Sequence, residues 1–408
     1  MTGLRIDFGD GSPRTAWSNA TSALHTYTGQ GHYQVTVQAR DAAGAASARS
    51  RSITIITPPT QGGSTASTTI ALDTTTDRVF AVNPDSDTVT AISSATLARL
   101  WEQPVAADPR NLALATDGTI WVTCHDADAV DVLNATTGVR LARLSTGRAS
   151  APIGIAATPD RQTMLVTCSG DGTLRRFAVG TRTQTGSLSV GPSPRAIAIT
   201  QAGTRALVTR FISSEHVGEV YDVALGTNMS LTRTIALQRH RGQDGSASSR
   251  GVPNYLAGIR ISPDGAWAWV VGKKDNTNRG TFFGPQFKLG SDNSVRAQLM
   301  LINLQTGAED LGRRLDIDNS ESPVAVAFSP LGDYAFIALQ GNNQVAVIDV
   351  LDFMSANSPG TVRTRWTTGL APQGLVVDPD GGRLFTNDFM SRRVTAIEAG
   401  EFLASGSA

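Results

Sequence analysis

Short apolar runs recur along the chain, and each is followed by a polar turn and a second apolar run. The first run of each unit ends at one of seven turn residues: Asp73, Thr116, Thr158, Thr200, Ser262, Ser329 and Asp378. Successive turn residues are 43, 42, 42, 62, 67 and 49 residues apart. A third run follows in each unit, and a weaker fourth run follows in all units but the last. Short runs bounded by turns indicate β-strands rather than helices.

A period near forty residues with four short strands per unit is typical of a β-propeller. We therefore expect an all-β protein, with a seven-bladed β-propeller of four-stranded antiparallel blades over residues 69–408. Small residues support this fold because the innermost strands converge on the axis; they include Ala113, Ala115, Ala156, Ala196 and Ala198. The last blade is expected to be incomplete. Its missing strand would come from beyond Ala408 or from Ser52–Ile56, and we favour the first origin.

Residues 1–57 differ from the repeats and contain two segments of strand-like alternation, Tyr33–Val37 and Ser52–Ile56. The distinctive residues are Asp7-Phe8-Gly9-Asp10-Gly11, then His25, Tyr27, Gly31, Tyr33, Val35, Val37 and Asp41. This pattern resembles the PKD domain, an immunoglobulin-like β-sandwich common in exported proteins. It covers the second half of a usual PKD domain, so we expect a partial sandwich over residues 1–57. The composition of residues 58–68, PPTQGGSTAST, predicts a linker.

The propeller repeats share a motif that reads FAVNPDSDTVTAI from Phe80, WVTCHDADAVDVL from Trp121 and LFTNDFMSRRVTAI from Leu384. These repeats resemble the YVTN family of seven-bladed propellers of bacterial and archaeal surface proteins. The resemblance implies a periplasmic, extracellular or cell-surface location. Family members include surface-layer modules and propellers fused to c-type cytochrome or peroxidase-like domains. Blades of similar shape occur in some lactonases, lyases and electron-transfer subunits.

The overall composition narrows the classes of partner. The 35 basic and 35 acidic residues balance, and no basic patch predicts nucleic-acid binding. No apolar run approaches the roughly 20 residues of a membrane span, and the N-terminus lacks the apolar core of a secretory signal. We interpret the sequence as a segment of an exported chain. Cys124 and Cys168 occupy equivalent places in adjacent repeats, so we expect two unpaired thiols.

Three insertions into the repeat carry the candidate site, at residues 211–219, 238–254 and 272–296. Long loops on a rigid scaffold are where binding residues concentrate, and these loops are expected on one face of the ring. The candidate ligand-binding residues are His125, His216, Arg239, His240, Lys273, Lys274, Asp275, Asn276, Arg279, Asp292 and Asn293. They predict a polar pocket for an anionic or sugar-like ligand. The alternative interpretation is that the Asp and Asn residues form turns and the charges are solvated.

Two kinds of metal site are candidates within this set. Asp275 and Asp292, with the neighbouring asparagines, offer the oxygen ligands that calcium prefers. His125, His216 and His240 would form a transition-metal site if their loops converge. Otherwise we expect no cofactor in this segment, and haem only if a further domain follows it.

The leading functional hypothesis is a binding or scaffold module that recognises a protein or a polysaccharide through the loops of one face. No nucleophile elbow, zinc-protease motif or phosphate-binding loop occurs in the sequence, and we lean towards a protein that is not an enzyme. The first alternative is a lyase or lactonase in which Tyr255, His216 and His240 act at the channel mouth. The second alternative, an electron-transfer partner module, depends on the haem-fused members of the family. The oligomeric state is left open.

Overall fold

A computed structural model describes residues 3–56, 63–242, 250–276, 295–317, 320–355 and 361–405. Strands account for 57% of the residues and helices for 5%, so the predicted all-β class is confirmed. No helix of the described segments is both long and apolar enough to cross a bilayer.

The N-terminal sheet has three antiparallel strands in the order β1-β2-β3: β1 (Gly3–Asp7), β2 (Gly31–Arg40) and β3 (Ala46–Ile55). Ser52 pairs with Gln34, and Ile53 pairs with Tyr33. Ser52–Ile55 therefore belongs to this sheet, and the alternative in which this segment closes the propeller is wrong. The aromatic residues of the PKD-like pattern pack together, with Phe8 stacked on His25 at 4.0 Å between ring centroids.

The described residues from 63 onwards form seven antiparallel sheets. The first contains β5 (Ile70–Asp73), β6 (Arg78–Asn83), β7 (Thr88–Ser93) and β8 (Arg99–Pro104). The second contains β9 (Pro109–Leu114), β10 (Thr119–Cys124), β11 (Ala129–Asn134) and β12 (Arg140–Ser145). The third contains β13 (Pro152–Ala157), β14 (Thr163–Cys168), β15 (Thr173–Ala178) and β16 (Thr183–Ser189).

The fourth sheet contains β17 (Pro194–Ile199), β18 (Arg205–Arg210), β19 (Val217–Leu225) and β20 (Met229–Gln238), with β4 (Thr65–Ala66) added beside β17. The fifth contains β21 (Val252–Ile261), β22 (Trp267–Asp275), β23 (Val295–Asn303), β24 (Ala308–Glu309) and β25 (Leu315–Ile317). The sixth contains β26 (Pro323–Phe328), β27 (Tyr334–Leu339), β28 (Gln344–Asp349) and β29 (Val362–Thr367). The seventh contains β30 (Pro372–Val377), β31 (Arg383–Asp388) and β32 (Arg393–Glu398). Two short helices are α1 (Val350–Met354) and α2 (Gly400–Ser405).

The first strands of the seven sheets contact one another in chain order, and β30 contacts β5. Hydrogen bonds also join the last sheet to the first, because Asn387 Nδ2 donates to the Val82 carbonyl at 3.0 Å and Arg383 Nη1 to the Ser94 carbonyl at 2.6 Å. The arrangement is therefore propeller-like. The seventh sheet has three strands within the described residues, as the sequence predicts. Phe402 of α2 packs near it, against Tyr334 and Trp366 of the sixth sheet.

Apolar faces of adjacent sheets bury one another. Trp121 and Val130 of the second sheet pack against Ile155, Met164 and Phe177 of the third, and each is at most 1% exposed. Burying one such side chain contributes roughly 1.5–3 kcal/mol. Cys168 is buried in this packing and Cys124 in the packing of the first sheet on the second; both are unpaired, and burial raises the pKa of each thiol to about 12. The predicted unpaired thiols are confirmed.

Buried threonines link neighbouring sheets at the start of the first strands. Thr123, Thr167 and Thr209 are 0% exposed, and each hydroxyl donates to a carbonyl of the next sheet. Thr167 Oγ1 donates to the Arg195 carbonyl at 2.6 Å and accepts from the Gly154 N–H at 2.9 Å. A Cβ on Gly154 would lie 2.2 Å from the Arg195 carbonyl oxygen, so the sheets approach closely enough here to require glycine.

The N-terminal sheet contacts the ring through His32. Its Nε2 lies 2.9 Å from each carboxylate oxygen of Asp349, and its Nδ1 lies 3.0 Å from Thr54 Oγ1. The hydrogen bond to Asp349 raises the pKa of His32. The contact therefore includes a histidine that is held towards its charged form.

Candidate functional site

Proline begins the first strand of five sheets and places the next residue at one end of the channel. The prolines are Pro109, Pro152, Pro194, Pro323 and Pro372. The residues that follow them line a shared cavity of about 240 Å³: Arg110, Ile153, Arg195, Val324 and Gln373. Asn111, Gln340 and the segment Ser67–Thr69 complete its polar lining. We call this cavity the mouth pocket.

Two arginines give the mouth pocket its charge. The Arg195 guanidinium lies 4.0 Å above the Phe211 ring, and burial together with the charge of Arg110 lowers the pKa of Arg195 to about 10. Arg110 Nε donates to Asp108 Oδ2 at 2.8 Å, outside the pocket. The described lining of the pocket contains neither aspartate nor glutamate. Arg110 Nη2 also lies 2.6 Å from Asp108 Oδ2, so the charge of Arg110 is balanced by Asp108, and Arg195 is the positive charge of the pocket without a carboxylate partner in the described chain.

A stack of side chains continues from Arg195 along the rim. The ring of Phe211 stacks on that of Tyr255 with centroids 4.7 Å apart, and Lys273 Nζ lies 3.9 Å from the Tyr255 ring centroid. Asp275 pairs with Lys273 at 3.1 Å and accepts a hydrogen bond from Asn254 Nδ2 at 2.7 Å. The stack thus brings together two predicted ligand-binding residues, Lys273 and Asp275, with Tyr255, which the lyase or lactonase alternative names.

Tyr255 has a left-handed backbone conformation in this stack. Its φ is +47°, and β21 shifts register against β22 between Asn254 and Gly258. The equivalent residues of five other sheets also have a positive φ, so this conformation belongs to the repeat: Asp108, Ala151, Ser193, Ser322 and Ala371. The irregularity turns the Tyr255 side chain out to the rim, where it is 43% exposed.

Lys274, although predicted with Lys273, has a different environment. Successive side chains of a strand point to opposite faces, so Lys274 turns into the fifth sheet where Lys273 turns to the rim. The Lys274 side chain is 1% exposed, and its Nζ donates to Asp316 Oδ2 at 2.6 Å. Burial lowers the pKa of Lys274. The structure therefore places it in a buried ion pair between β22 and β25.

The three predicted histidines lie in different surroundings. His125 Nδ1 lies 2.7 Å from Asp126 Oδ1 and 3.3 Å from Asp108 Oδ2. His216 is exposed on the loop before β19, and His240 is joined through its backbone to Gly251. Among the described residues, potential metal ligands form two clusters, His125 with Asp108 and Asp126 and His32 with Asp349 and Asp352, and neither His216 nor His240 joins them.

The remaining predicted residues are only partly described. Arg239 Nη2 is buried and makes no hydrogen bond within the described chain, and Asn276 ends the segment after β22. Arg279, Asp292 and Asn293 lie outside the described residues. The calcium hypothesis, which joins Asp275 to Asp292, therefore stays a prediction.

Part of the predicted linker lies along the channel. The Ser67 N–H donates to the Ile197 carbonyl at 2.8 Å, and the Leu112 N–H donates to the Thr68 carbonyl at 2.9 Å. Ser64 Oγ donates to the Ile261 carbonyl at 3.0 Å. Ser67 and Thr68 line both the mouth pocket and a second cavity of about 490 Å³ at the opposite end, which also contains Arg260. Residues 63–69 therefore lie between the two cavities.

Sequence reasoning missed the main polar residues of the mouth pocket, Arg110, Arg195, Gln340 and Gln373. A usable signal existed, because a proline stands at the same point of most repeats. The residue after it has the same position in each first strand, and these positions converge at one end of the ring. The insertions predict residues of the side-chain stack, such as Lys273 and Asp275, but none of the main polar residues of the pocket.

This chain is similar to a known domain family in sequence and to solved proteins in structure. Residues 4–54 match the model of the PKD domain. Hydrazine synthase of Kuenenia stuttgartiensis is structurally similar, with a TM-score of 0.70 and 19% identity, over 81% of this chain and 94% of that chain. A protein of unknown function from Desulfotomaculum acetoxidans DSM 771 has a TM-score of 0.56 and 14% identity, over 79% of this chain and 92% of that one. No curated protein matches this sequence.

These comparisons support the coarse architecture. The PKD match confirms the resemblance predicted for the N-terminal segment, and the structural neighbours share a propeller-like all-β fold. At these identities, structural likeness shows the fold alone, because one fold hosts many unrelated functions.

Proposed function

We propose that this protein is a binding module that acts outside the cytoplasm and holds an anionic group of its partner in the mouth pocket. In this proposal the seven sheets are the blades of a YVTN-type seven-bladed propeller, which serves as a rigid scaffold for the pocket. The partner is a protein or a polysaccharide. The observation that carries the proposal is the buried Arg195 guanidinium, near Arg110, in a cavity whose described lining has no carboxylate.

Electrostatics favour an anion at this position. The nearby charge of Arg110 and the burial of Arg195 both lower the pKa of Arg195, so its charged form is less stable than in water. A carboxylate in the pocket beside Arg195 stabilises this charged form and accepts charge-assisted hydrogen bonds, each worth about 1.5–3 kcal/mol, whereas Arg110 already donates to Asp108. The amide groups of Asn111, Gln340 and Gln373 add neutral donors around the same cavity.

Calorimetric titration of the full chain with citrate tests this proposal. We expect saturable binding, and we expect Arg195→Gln to weaken it at least tenfold. Arg392→Gln is the matched control, because Arg392 lies at the same end of the ring but its side chain is 72% exposed and 3.4 Å from Asp85. Equal citrate affinity for wild type and Arg195→Gln would refute the proposal, provided that both proteins have the same melting temperature.

The described structure gives the other hypotheses less support. Tyr255, His216 and His240, the suspects for lyase or lactonase chemistry, do not line the mouth pocket in the described chain. No specific observation favours an electron-transfer role. Binding of an anionic group is therefore the function that the described residues support best.

A further inference from the structure

We infer that the anionic group is an acidic side chain of a protein partner, and that the partner docks on an apolar rim around the mouth pocket. This inference rests on the proposed function, because it assigns the ligand class of the same site. Four exposed residues define the apolar rim: Ile212, Tyr255, Leu370 and Met390.

The apolar rim lies at the same end of the ring as the pocket. Ile212 and Met390 follow the ends of the second strands β18 and β31. Tyr255 is the fourth residue of the first strand β21, and Leu370 lies just before the first strand β30. In antiparallel neighbours, the start of one strand and the end of the next share an edge. All four residues are between 43% and 67% exposed. The rim therefore presents large apolar groups around a charged centre.

Specific contacts connect the rim with the pocket and hold it in place. The stack of Arg195, Phe211 and Tyr255 joins the pocket directly to one side of the rim. On the other side, the Met390 N–H donates to the Leu370 carbonyl at 3.1 Å, and the Leu370 N–H donates to Ser391 Oγ at 2.6 Å. These apolar side chains are thus displayed by hydrogen-bonded turns.

The composition of this surface matches a protein partner better than a sugar. Protein interfaces combine aromatic residues, methionine and arginine around a buried centre. A sugar ring would need an open aromatic face. Phe211 lies 4.7 Å from the Tyr255 ring centroid and Lys273 Nζ lies 3.9 Å from it. These two groups are too close to the ring to share one face, so both faces of Tyr255 are covered. Ile212, Leu370 and Met390 offer aliphatic contact instead.

The size of the pocket agrees with one inserted side chain. Its volume of about 240 Å³ is below the roughly 300–1,000 Å³ of typical small-molecule sites. An aspartate or glutamate side chain fills such a cavity while the neighbouring residues of the partner contact the rim. The arginines then supply orientation and the rim supplies buried apolar area, as in interfaces with a central anchor.

The test selects peptides from a random dodecapeptide display library on the immobilised full chain. We expect selected sequences to share one Asp or Glu flanked by apolar residues. A selected peptide made synthetically should bind at least tenfold more tightly than its Gln or Asn counterpart in fluorescence anisotropy. Arg195→Gln should remove this preference. The double variant Leu370→Ser/Met390→Ser should weaken the peptide at least tenfold while leaving citrate binding unchanged.

A matched control and a competing ligand separate the outcomes. Leu331→Ser is the control, because Leu331 is 50% exposed but follows the opposite end of β26. If citrate binds but selected peptides lack an acidic residue, or the rim variant binds peptide normally, the inference is wrong and the proposed function stands. Tighter binding of trigalacturonate than of any selected peptide likewise overturns the inference in favour of a polysaccharide. If neither citrate nor peptide binds, the proposed function fails as well.

Discussion

The threonine that joins the third sheet to the fourth offers a direct test of how the ring is held together. Thr167→Val keeps the size of the side chain and removes a hydroxyl that is 0% exposed. The change breaks the bonds to the Arg195 carbonyl and the Gly154 N–H, which are 2.6 Å and 2.9 Å long. Each buried hydrogen bond contributes about 1 kcal/mol, and stranding both partners raises the expected loss to about 2–4 kcal/mol.

The close approach of the sheets makes this loss hard to relieve. A Cβ on Gly154 would lie 2.8 Å from Thr167 Oγ1, so a water molecule has no room to replace the hydroxyl. Thr167→Ser is the matched control, because it keeps the hydroxyl and loses one methyl group, at a cost of about 1 kcal/mol.

Urea unfolding, followed by tryptophan fluorescence and circular dichroism, measures the free energies of unfolding of wild type and both variants. Coincident transitions by the two probes are needed for this comparison. We expect Thr167→Val to be less stable than Thr167→Ser by at least 1 kcal/mol. Equal stability of the two variants would show that the hydroxyl contributes nothing, and the account of inter-sheet linkage would be wrong.

Three further predictions follow from buried or paired groups. The hydrogen bond to Asp349 raises the pKa of His32, so the contribution of His32 to stability is full below the unfolded pKa of about 6.5 and is lost as pH rises through the folded pKa. His32→Gln should therefore cost more stability at pH 5.5 than at pH 8.5. The reverse order of the free energies of unfolding in urea would contradict this prediction. Lys274→Met removes the cationic partner of Asp316, which keeps the hydrogen bond from Gln298 Nε2 at 3.0 Å, and should cost about 3 kcal/mol, whereas adding Asp316→Leu should recover part of that loss; a double variant no more stable than Lys274→Met would count against the ion pair. The two buried cysteines, with pKa values raised to about 12, should not react with a thiol reagent at pH 8 until the protein unfolds, and fast labelling of the native protein would disprove their burial.

The sequence predicted the strands well because each one has a clear polarity pattern bounded by turns. It was less informative at the insertions. Residues 273–275 were interpreted as loop, but β21 and β22 continue their pairing up to Val252 and Asp275. Extra length in a repeat can lengthen a hairpin instead of making an irregular loop, and the residue types alone do not separate the two outcomes.

The candidate site was harder to predict because it depends on convergence. Arg110 and Arg195 are separated by two repeats in sequence, and neither belongs to a catalytic or metal-binding motif. They meet because equivalent points of the first strands approach the axis of the ring. The stack of Phe211 on Tyr255 likewise depends on the meeting of two neighbouring sheets, because Phe211 follows β18 and Tyr255 lies in β21.

The path of residues 63–69 has a mechanical consequence. Tension transmitted along the chain from the N-terminal domain would enter the ring near its axis, where this segment bonds to first strands of the second, fourth and fifth sheets. Several bonds would then be sheared together, and no outer strand would peel away first. A force applied to the N-terminal domain would therefore be distributed across the centre of the ring.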